Sequence, residues 1–401
     1  MIKSFQLVNK EGCEWMGEIP SHWNLCSVWI LFELGRGRVI SNEEISDNAG
    51  EFPVYSSQTK SNGVMGHLKT YDFDGDYITW TTDGANAGTV FERHGKFNCT
   101  NVCGTLKSKD SAISLTYFRY AIELAAKYFV RHDINPKLMN GVMSRIKVPR
   151  PTIREQKSIS IFINNKTFEI DRLVREKQKF INLLKEKRQA LISHVVTKGL
   201  NPDVEMKDSG LLWAPKVPAH WDLKKLSYIC KMQSGDSITS EGIEKTGSYR
   251  VFGGNGVRGY CEQYNHHGDY ILVGRQGSLC GNVNYASGKF FASEHAVVVY
   301  PEKSVDMKWL GEALRIMDLI QYSVSAAIPG LSVSNILQLK LPYPPSSEQH
   351  QISEYICTQT SHIDRLIKEV NRSIGLLKEH RTALISAAVT GKIDLRDKEV
   401  A

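Results

Sequence analysis

The chain has 401 residues, with 50 Lys and Arg against 43 Asp and Glu, giving a net charge of +7. Its 41% hydrophobic and 23% charged content excludes a wholly disordered chain, and no apolar run reaches the roughly 18–20 residues of a membrane span. The modest basic excess permits a nucleic-acid partner without requiring one.

In chain order, the start lacks the apolar core of a secretory signal, so a cytoplasmic protein is expected. Ile19-Pro20-Ser21-His22-Trp23 precedes a Gly- and aromatic-rich stretch of about 130 residues. Its runs at 75–81 and 101–106 read as strands, and 115–130 as a helix. A long helical segment follows Pro149 and Pro151. Val217-Pro218-Ala219-His220-Trp221 then reopens the same plan, with strands expected at 269–273 and 296–300 and a helix at 306–322. Residues 146–200 align without gaps on 339–393 at an offset of 193, with 26 of 55 positions identical. Near the Trp the offset is 198, which puts a length difference of about five residues between Trp23 and Asn62. The chain is therefore two copies of one unit, each a mixed α and β half followed by a helix.

Both helices carry an apolar seam with alternating four- and three-residue spacing. In the first it includes Ile163, Ile170, Ile181, Leu184 and Leu191; in the second, Ile356, Ile363, Ile374, Leu377 and Leu384. A helix of about 40 residues would be about 60 Å long, so the other helix is its natural partner, antiparallel to it. Thr167, Thr360, Arg188 and Arg381 interrupt the seams, either to fix register or to reach water. Lys177, Lys179, Lys185 and Lys187 make the first helix basic, which suits a solvated face, an acidic partner or the DNA backbone.

Catalytic signatures do not emerge. No phosphate loop, HExxH or GxSxG is present, nor an Asn/Asp-Pro-Pro-aromatic tetrapeptide. Pro202-Asp203…Glu205-Met206-Lys207 spells a nuclease-like motif, but its acids are adjacent in a linker. The eight cysteines have no zinc-site spacing and read as reduced thiols. Asp76 and Asp269 are a persuasive aligned acid pair, too few for a duplicated enzyme. The halves do hold polar loops rich in base-reading residue types: Ser57, Gln58, Lys60, Asn62, Thr81, Thr82, Asn86, Asn98 and Asn101 in the first, and Asn255, Arg258, Arg275, Gln276, Ser278 and His295 in the second. The copies keep matching framework glycines while these loops differ, as two modules reading different things would. A duplicated nuclease and a scaffold binding only proteins are the competing readings.

The chain resembles the specificity subunits of type I restriction–modification enzymes. The resemblance rests on Gly17-Glu18-Ile19-Pro20-Ser21-His22-Trp23, on Lys207-Asp208-Ser209-Gly210 with Trp213 and the second Pro-x-His-Trp, on Glu155-Gln156 and Glu348-Gln349, and on the Ile-Asp-Arg-Leu helices at 170–197 and 363–390. Ala214-Pro215-Lys216 departs from Met16-Gly17-Glu18 of the first copy. The resemblance implies an α+β fold of two tandem mixed α/β target recognition domains, 1–148 and 205–341. Two long helical segments, 149–204 and 342–401, would join them as an antiparallel coiled-coil spacer with a pseudo-two-fold internal repeat. It further implies a chain without catalysis of its own, binding double-stranded DNA at a bipartite target. Two methyltransferase subunits and restriction-motor subunits would be partners, and S-adenosylmethionine, ATP and magnesium would belong to them.

Overall fold

The computed structural model describes residues 6–10, 14–110, 112–132, 135–277, 279–323 and 329–396. They divide into two compact units, one drawn from 1–177 and 372–401, the other from 178–371.

The first unit contains β1 (Phe32–Arg36), β2 (Ala49–Tyr55), β3 (Val64–Leu68), β4 (Phe73–Asp74), β5 (Tyr77–Thr81), β6 (Val90–Arg93), β7 (Lys96–Cys99) and β8 (Cys103–Ser108). They form two four-stranded sheets, ordered β3-β2-β7-β4 and β1-β8-β5-β6. Only β2 and β7 pair parallel within these sheets. All five residues of β5 are buried, because both faces of this strand are covered. Helix α1 (Leu115–Phe129) covers one face. Its buried residues Tyr117, Phe118, Ala121, Ile122 and Ala125 recur at helical spacing, and Ser114 caps it by accepting from the Tyr117 N–H at 3.3 Å. Trp80, Phe32, Leu106, Tyr117 and Phe118 are fully buried in the core, each such side chain contributing about 1.5–3 kcal/mol.

The long helix α2 (Ile153–Lys198) starts in this unit and ends in the second. The second unit repeats the plan. Its strands are β9 (Cys230–Ser234), β10 (Tyr249–Gly253), β11 (Gly256–Cys261), β12 (His266–His267), β13 (Tyr270–Gly274), β14 (Val283–Ala286), β15 (Lys289–Ala292) and β16 (Ala296–Pro301). The sheet orders, β11-β10-β15-β12 and β9-β16-β13-β14, are those of the first unit. Helix α3 (Met307–Ile316) stands for α1, capped by Asp306. It is shorter than the expected 306–322, because Asp318 turns left-handed at φ 49° and a 3-10 turn follows. Helix α4 (Ser346–Val389) begins in the second unit and returns to the first.

The equivalence locates four residues of the length difference. Seven residues separate Tyr55 from Gly63 in the β2–β3 turn, but only three separate Phe252 from Gly256 in the β10–β11 turn. Gly63 and Gly256 share left-handed backbones, φ 81° and 89°.

Within each unit the helix segments run antiparallel. In the first, Tyr117 Oη donates toward both the Pro149 and Val389 carbonyls, while farther along Arg381 pairs with Asp171 at 3.0 Å. In the second, Gly199 lies beside Glu348, while Arg188 pairs with Asp364 at 3.3 Å. The arginines thus answer the seam question with cross-helix ion pairs. Thr167 and Thr360 are buried, and Thr167 donates back to Asn164 O of its own helix at 3.2 Å. Ile163, Ile170, Ile181, Leu184, Ile356, Ile363 and Ile374 are buried as expected of the seam. Leu191, Leu377 and Leu384 are only half-buried. Toward the C-terminal ends Ile192 and Ile385 are buried instead, because a 3.6-residue helix drifts off a seven-residue repeat and these ends pack on the globular cores.

A polar clamp, present in both copies, ties each helix start to its globular half. Glu155 Oε1 receives the Trp23 indole N–H at 3.1 Å and lies 2.8 Å from His22 Nε2. Its Oε2 receives the Thr152 N–H and hydroxyl at 2.9 and 2.8 Å, closing a capping box. Burial acts to raise the Glu155 pKa, but these donors outweigh it and hold the carboxyl below its usual range. Glu348 holds His220 and Trp221 at 2.9 and 3.0 Å. Pro345 occupies the place of Thr152, so no backbone N–H is available there for a box. The adjacent glutamines cap the short helices: Gln156 accepts from Ser114 N–H at 2.8 Å, and Gln349 from Asp306 N–H at 3.0 Å. The recurring histidines are therefore structural partners of glutamates.

Candidate nucleic-acid interface

The sheet registers gather the polar loops at one end of each globular half. In the first unit, Tyr55 closes β2, Thr81 closes β5, and the 100–102 turn joins β7 to β8. Backbone bonds knit them: Thr100 N–H to Tyr55 O at 2.9 Å and Thr82 N–H to Val102 O at 2.9 Å. The 56–62 turn lies at the same end, tied to the 82–88 loop by Asn86 Nδ2 donating to Ser57 O at 3.0 Å. Lys60, Asn62 and Asn101 are exposed, while Ser57, Gln58 and Asn86 are half-buried.

Three expected contact residues are not on this surface. Thr81, Thr82 and Asn98 are at most 2% exposed. Thr81 lies in the doubly covered β5. Asn98 points inward from β7, donating to Thr70 O at 2.8 Å. Buried there, these three offer no side-chain surface for direct contact with a ligand.

In the second unit the corresponding end is formed by 253–255, 275–277 and 293–295. Arg275 N–H donates to His295 O at 2.8 Å. A Cβ on Gly254 would stand 3.1 Å from Gln276 O, and one on Gly274 only 2.2 Å from Gly254 O, so these glycines permit the loops to touch. Asn255, Arg258 and Gln276 are exposed; Arg275 and His295 are half-buried. Ser278 lies outside the described residues. Asn255 Oδ1 accepts from Asn282 at 2.7 Å. Arg275 and Gln276 also line an open cleft of about 640 Å³ with Gln233, Ser234, Ser332 and Ser334. These four escaped the sequence reading because they come from segments distant in the chain with no motif of their own, and Asn282 because it lies just beyond the 275–278 loop.

Beneath the first unit's loop end lies Arg93, 2% exposed. Its Nη1 donates to Asn62 O at 2.8 Å and its Nε to Thr79 Oγ1 at 3.2 Å. Its guanidinium carbon stands 3.5 Å from the Tyr55 ring centre. Burial pushes its pKa down from the ordinary arginine value, though arginine stays charged.

Among the described residues no cluster of three His, Cys, Asp or Glu is placed to hold a metal ion, and no helix is long and apolar enough to cross a membrane. Lys207 of the nuclease-like letters donates to the Ala219 O at 2.8 Å and to Trp221 O, a structural tie. Asp76 follows Gly75, whose φ is 114°, in the turn that starts β5.

The family described as the type I restriction modification DNA specificity domain matches residues 20–181 and 218–374, one match in each copy. A putative type I specificity subunit N-terminus from Mycoplasma pneumoniae is 46% identical over 135 residues, covering 33% of this chain and 72% of that protein. The type I restriction enzyme EcoprrI specificity subunit of Escherichia coli is 40% identical over 166 residues, covering 40% of this chain and 41% of that one. Among solved structures, a chain reported in a study of complex assembly and conformational transition of the type I R-M system aligns with TM-score 0.71 at 12% identity, over 94% of this chain and 99% of that one. The HsdS subunit from Thermoanaerobacter tengcongensis gives 0.52 at 13% identity, over 94% and 98%. At those identities the likeness is one of fold.

Proposed function

The chain belongs to the type I restriction modification DNA specificity family, and on that premise we propose that it reads a bipartite double-stranded DNA target, one half-site per globular half. The helices α2 and α4 set the spacing between half-sites and dock two methyltransferase subunits, with restriction-motor subunits joining the assembly. This chain performs no chemistry. S-adenosylmethionine, ATP and magnesium act on the partner subunits, and the complex works in the cytoplasm.

The observation that carries this reading is the contrast between framework and loop ends. The two units repeat one strand order, one clamp and one pair of caps, yet differ at the loop end in length and side chains. A second catalytic copy would keep its chemistry in place; a second reader keeps its frame and changes its contacts. Arg and Asn or Gln side chains suit guanine and adenine edges, and major-groove access from two modules makes spacing a geometric quantity. On the helices, apolar side chains off the seam are exposed: Phe168 and Leu173 in the first unit, Phe180 and Leu183 in the second. They are suited to covering by a partner protein.

Single-molecule methylation mapping of genomic DNA, with the cognate methyltransferase and with or without this chain, tests the reading. A bipartite methyladenine motif that depends on the chain is expected. A methyltransferase that binds the chain and methylates DNA, but whose motif does not depend on it, would leave only a scaffold.

A further inference from the structure

The two copies fill the space under their β2–β3 and β10–β11 turns with partly matching apolar clusters that differ in polarity at Thr79 and Arg93. In the second unit Phe252, Leu272, Ala286, Phe290, Ala292 and Val298 form an apolar cluster. At an offset of 193, Leu272 and Ala286 correspond to Thr79 and Arg93. Phe252 corresponds to Tyr55 by strand register, since each pairs across the parallel ladder with an equivalent residue, Ala292 or Cys99. A guanidinium thus occupies a site that the same fold fills with a methyl group. Burying it there carries a desolvation cost that the apolar solution avoids, so packing alone does not account for Arg93.

The turn above explains what Arg93 holds. It is four residues longer than its counterpart, and its tip, residues 59–62, is exposed. Ser61 and Asn62 both adopt left-handed backbones, φ 50° and 54°, a strained conformation for consecutive non-glycine residues. Arg93 grips this strained pair through Asn62 O. Gln58 Nε2 donates to Val64 O and Asn86 Nδ2 to Ser57 O, fixing the two flanks. A Cβ on Gly63 would approach Arg93 Nη2 to 3.0 Å, so the turn closes directly over the guanidinium.

We propose that Arg93 is a positioning residue that holds the 56–62 turn in its reading conformation and thereby sets base preference at one half-site only. The inference rests on the DNA-reading function above. Its substrate class is duplex DNA, and its readout is specificity, not stability.

The test uses the full chain assembled with its methyltransferase subunits and a pool of duplexes randomised at the target positions. Two variants separate specificity from folding. Arg93→Met removes the grip and leaves Thr79 and Tyr55 in place. Tyr55→Phe/Thr79→Leu/Arg93→Ala gives three of these positions the apolar residues of the second unit, with Thr105 still standing where that unit has Val298, and its thermal unfolding is expected near the wild-type temperature. Both are expected to lose about ten- to a hundredfold discrimination at some positions of one half-site, the range a good base contact supplies, with the other half-site unchanged. A triple variant that melts normally and selects the wild-type motif would overturn the proposal while leaving the DNA-reading function standing. Equal loss at both half-sites would also overturn it. A wild-type complex that selects no motif would instead remove the function on which it rests. Should Arg93→Met fail to fold, the triple variant, which leaves no charge to bury, carries the test. The same one-sided loss is expected of it, and an unchanged motif counts against the proposal.

Discussion

Replacing Glu155 by Gln removes the charge from a carboxylate that four donors address. The amide keeps one oxygen, so either the Trp23 and His22 side or the Thr152 side loses its acceptor. Trp23 is 2% exposed, and a buried N–H left without a partner costs about 1–3 kcal/mol. The surviving bonds lose their charge assistance, which raises the expected loss to about 3 kcal/mol. Glu348→Gln supplies a control inside the same chain. Glu348 serves only His220 and Trp221, and its side chain is 22% exposed against 9% for Glu155, so about half the effect is expected. Hydrogen exchange measures both, read on peptides covering 14–32 and 212–230, because it reports each unit separately. Acidity adds a second readout. The folded Glu155 carboxyl is held below its usual range, so its stabilisation is complete above the ordinary carboxylate value near about 4.3. It is lost as pH falls through the lowered folded value. Protection of 14–32 in the wild type should therefore drop at acid pH by more than in Glu155→Gln. A Glu155→Gln chain within about 0.5 kcal/mol of wild type, the scatter of ordinary surface changes, would refute the clamp.

Exchanging the charges of the Asp171–Arg381 pair tests the helix register: Asp171→Arg and Arg381→Asp each cost up to about 1 kcal/mol, and the double variant should recover most of it in urea unfolding. Among the described cysteines, thiol alkylation should begin at the exposed Cys357. Cys230, whose pKa burial pushes up to about 12, and Cys99, pushed up by adjacent Cys103 and by burial, should resist until unfolding; mass spectrometry of partially labelled chain reads the order. Arg275→Ala or Gln276→Ala should weaken selection at one half-site, and equal loss on random DNA would count against base reading there.

Much of this architecture is legible in the residues because it is periodic or duplicated. The 193-residue offset carries the two units, and the heptad spacing carries the helix seams through Ile163 and Ile374. Where periodicity ends, so does legibility. Thr81 and Thr82 read as a polar loop, yet Thr81 ends and Thr82 follows a strand buried on both faces, where polar–apolar alternation has no meaning. Arg93 looks like any surface cation, and only the comparison of tertiary neighbours with Ala286 makes its position unusual. The Glu-Gln pairs were visible as repeated letters, but their partners, His22, Trp23 and Ser114, lie 42 to 133 residues away.

The helix α2 begins in one unit and ends in the other, and this orders events during synthesis. The second unit is a single stretch, 178–371, and has all its residues once that stretch has left the ribosome. The first unit needs Ile385, Ala388 and Val389 for its core, although most of it is translated first. A nascent chain therefore carries an unfinished first unit until Val389 has been made. Its last-made residues close it, reversing the usual N-terminal-first order of domain folding.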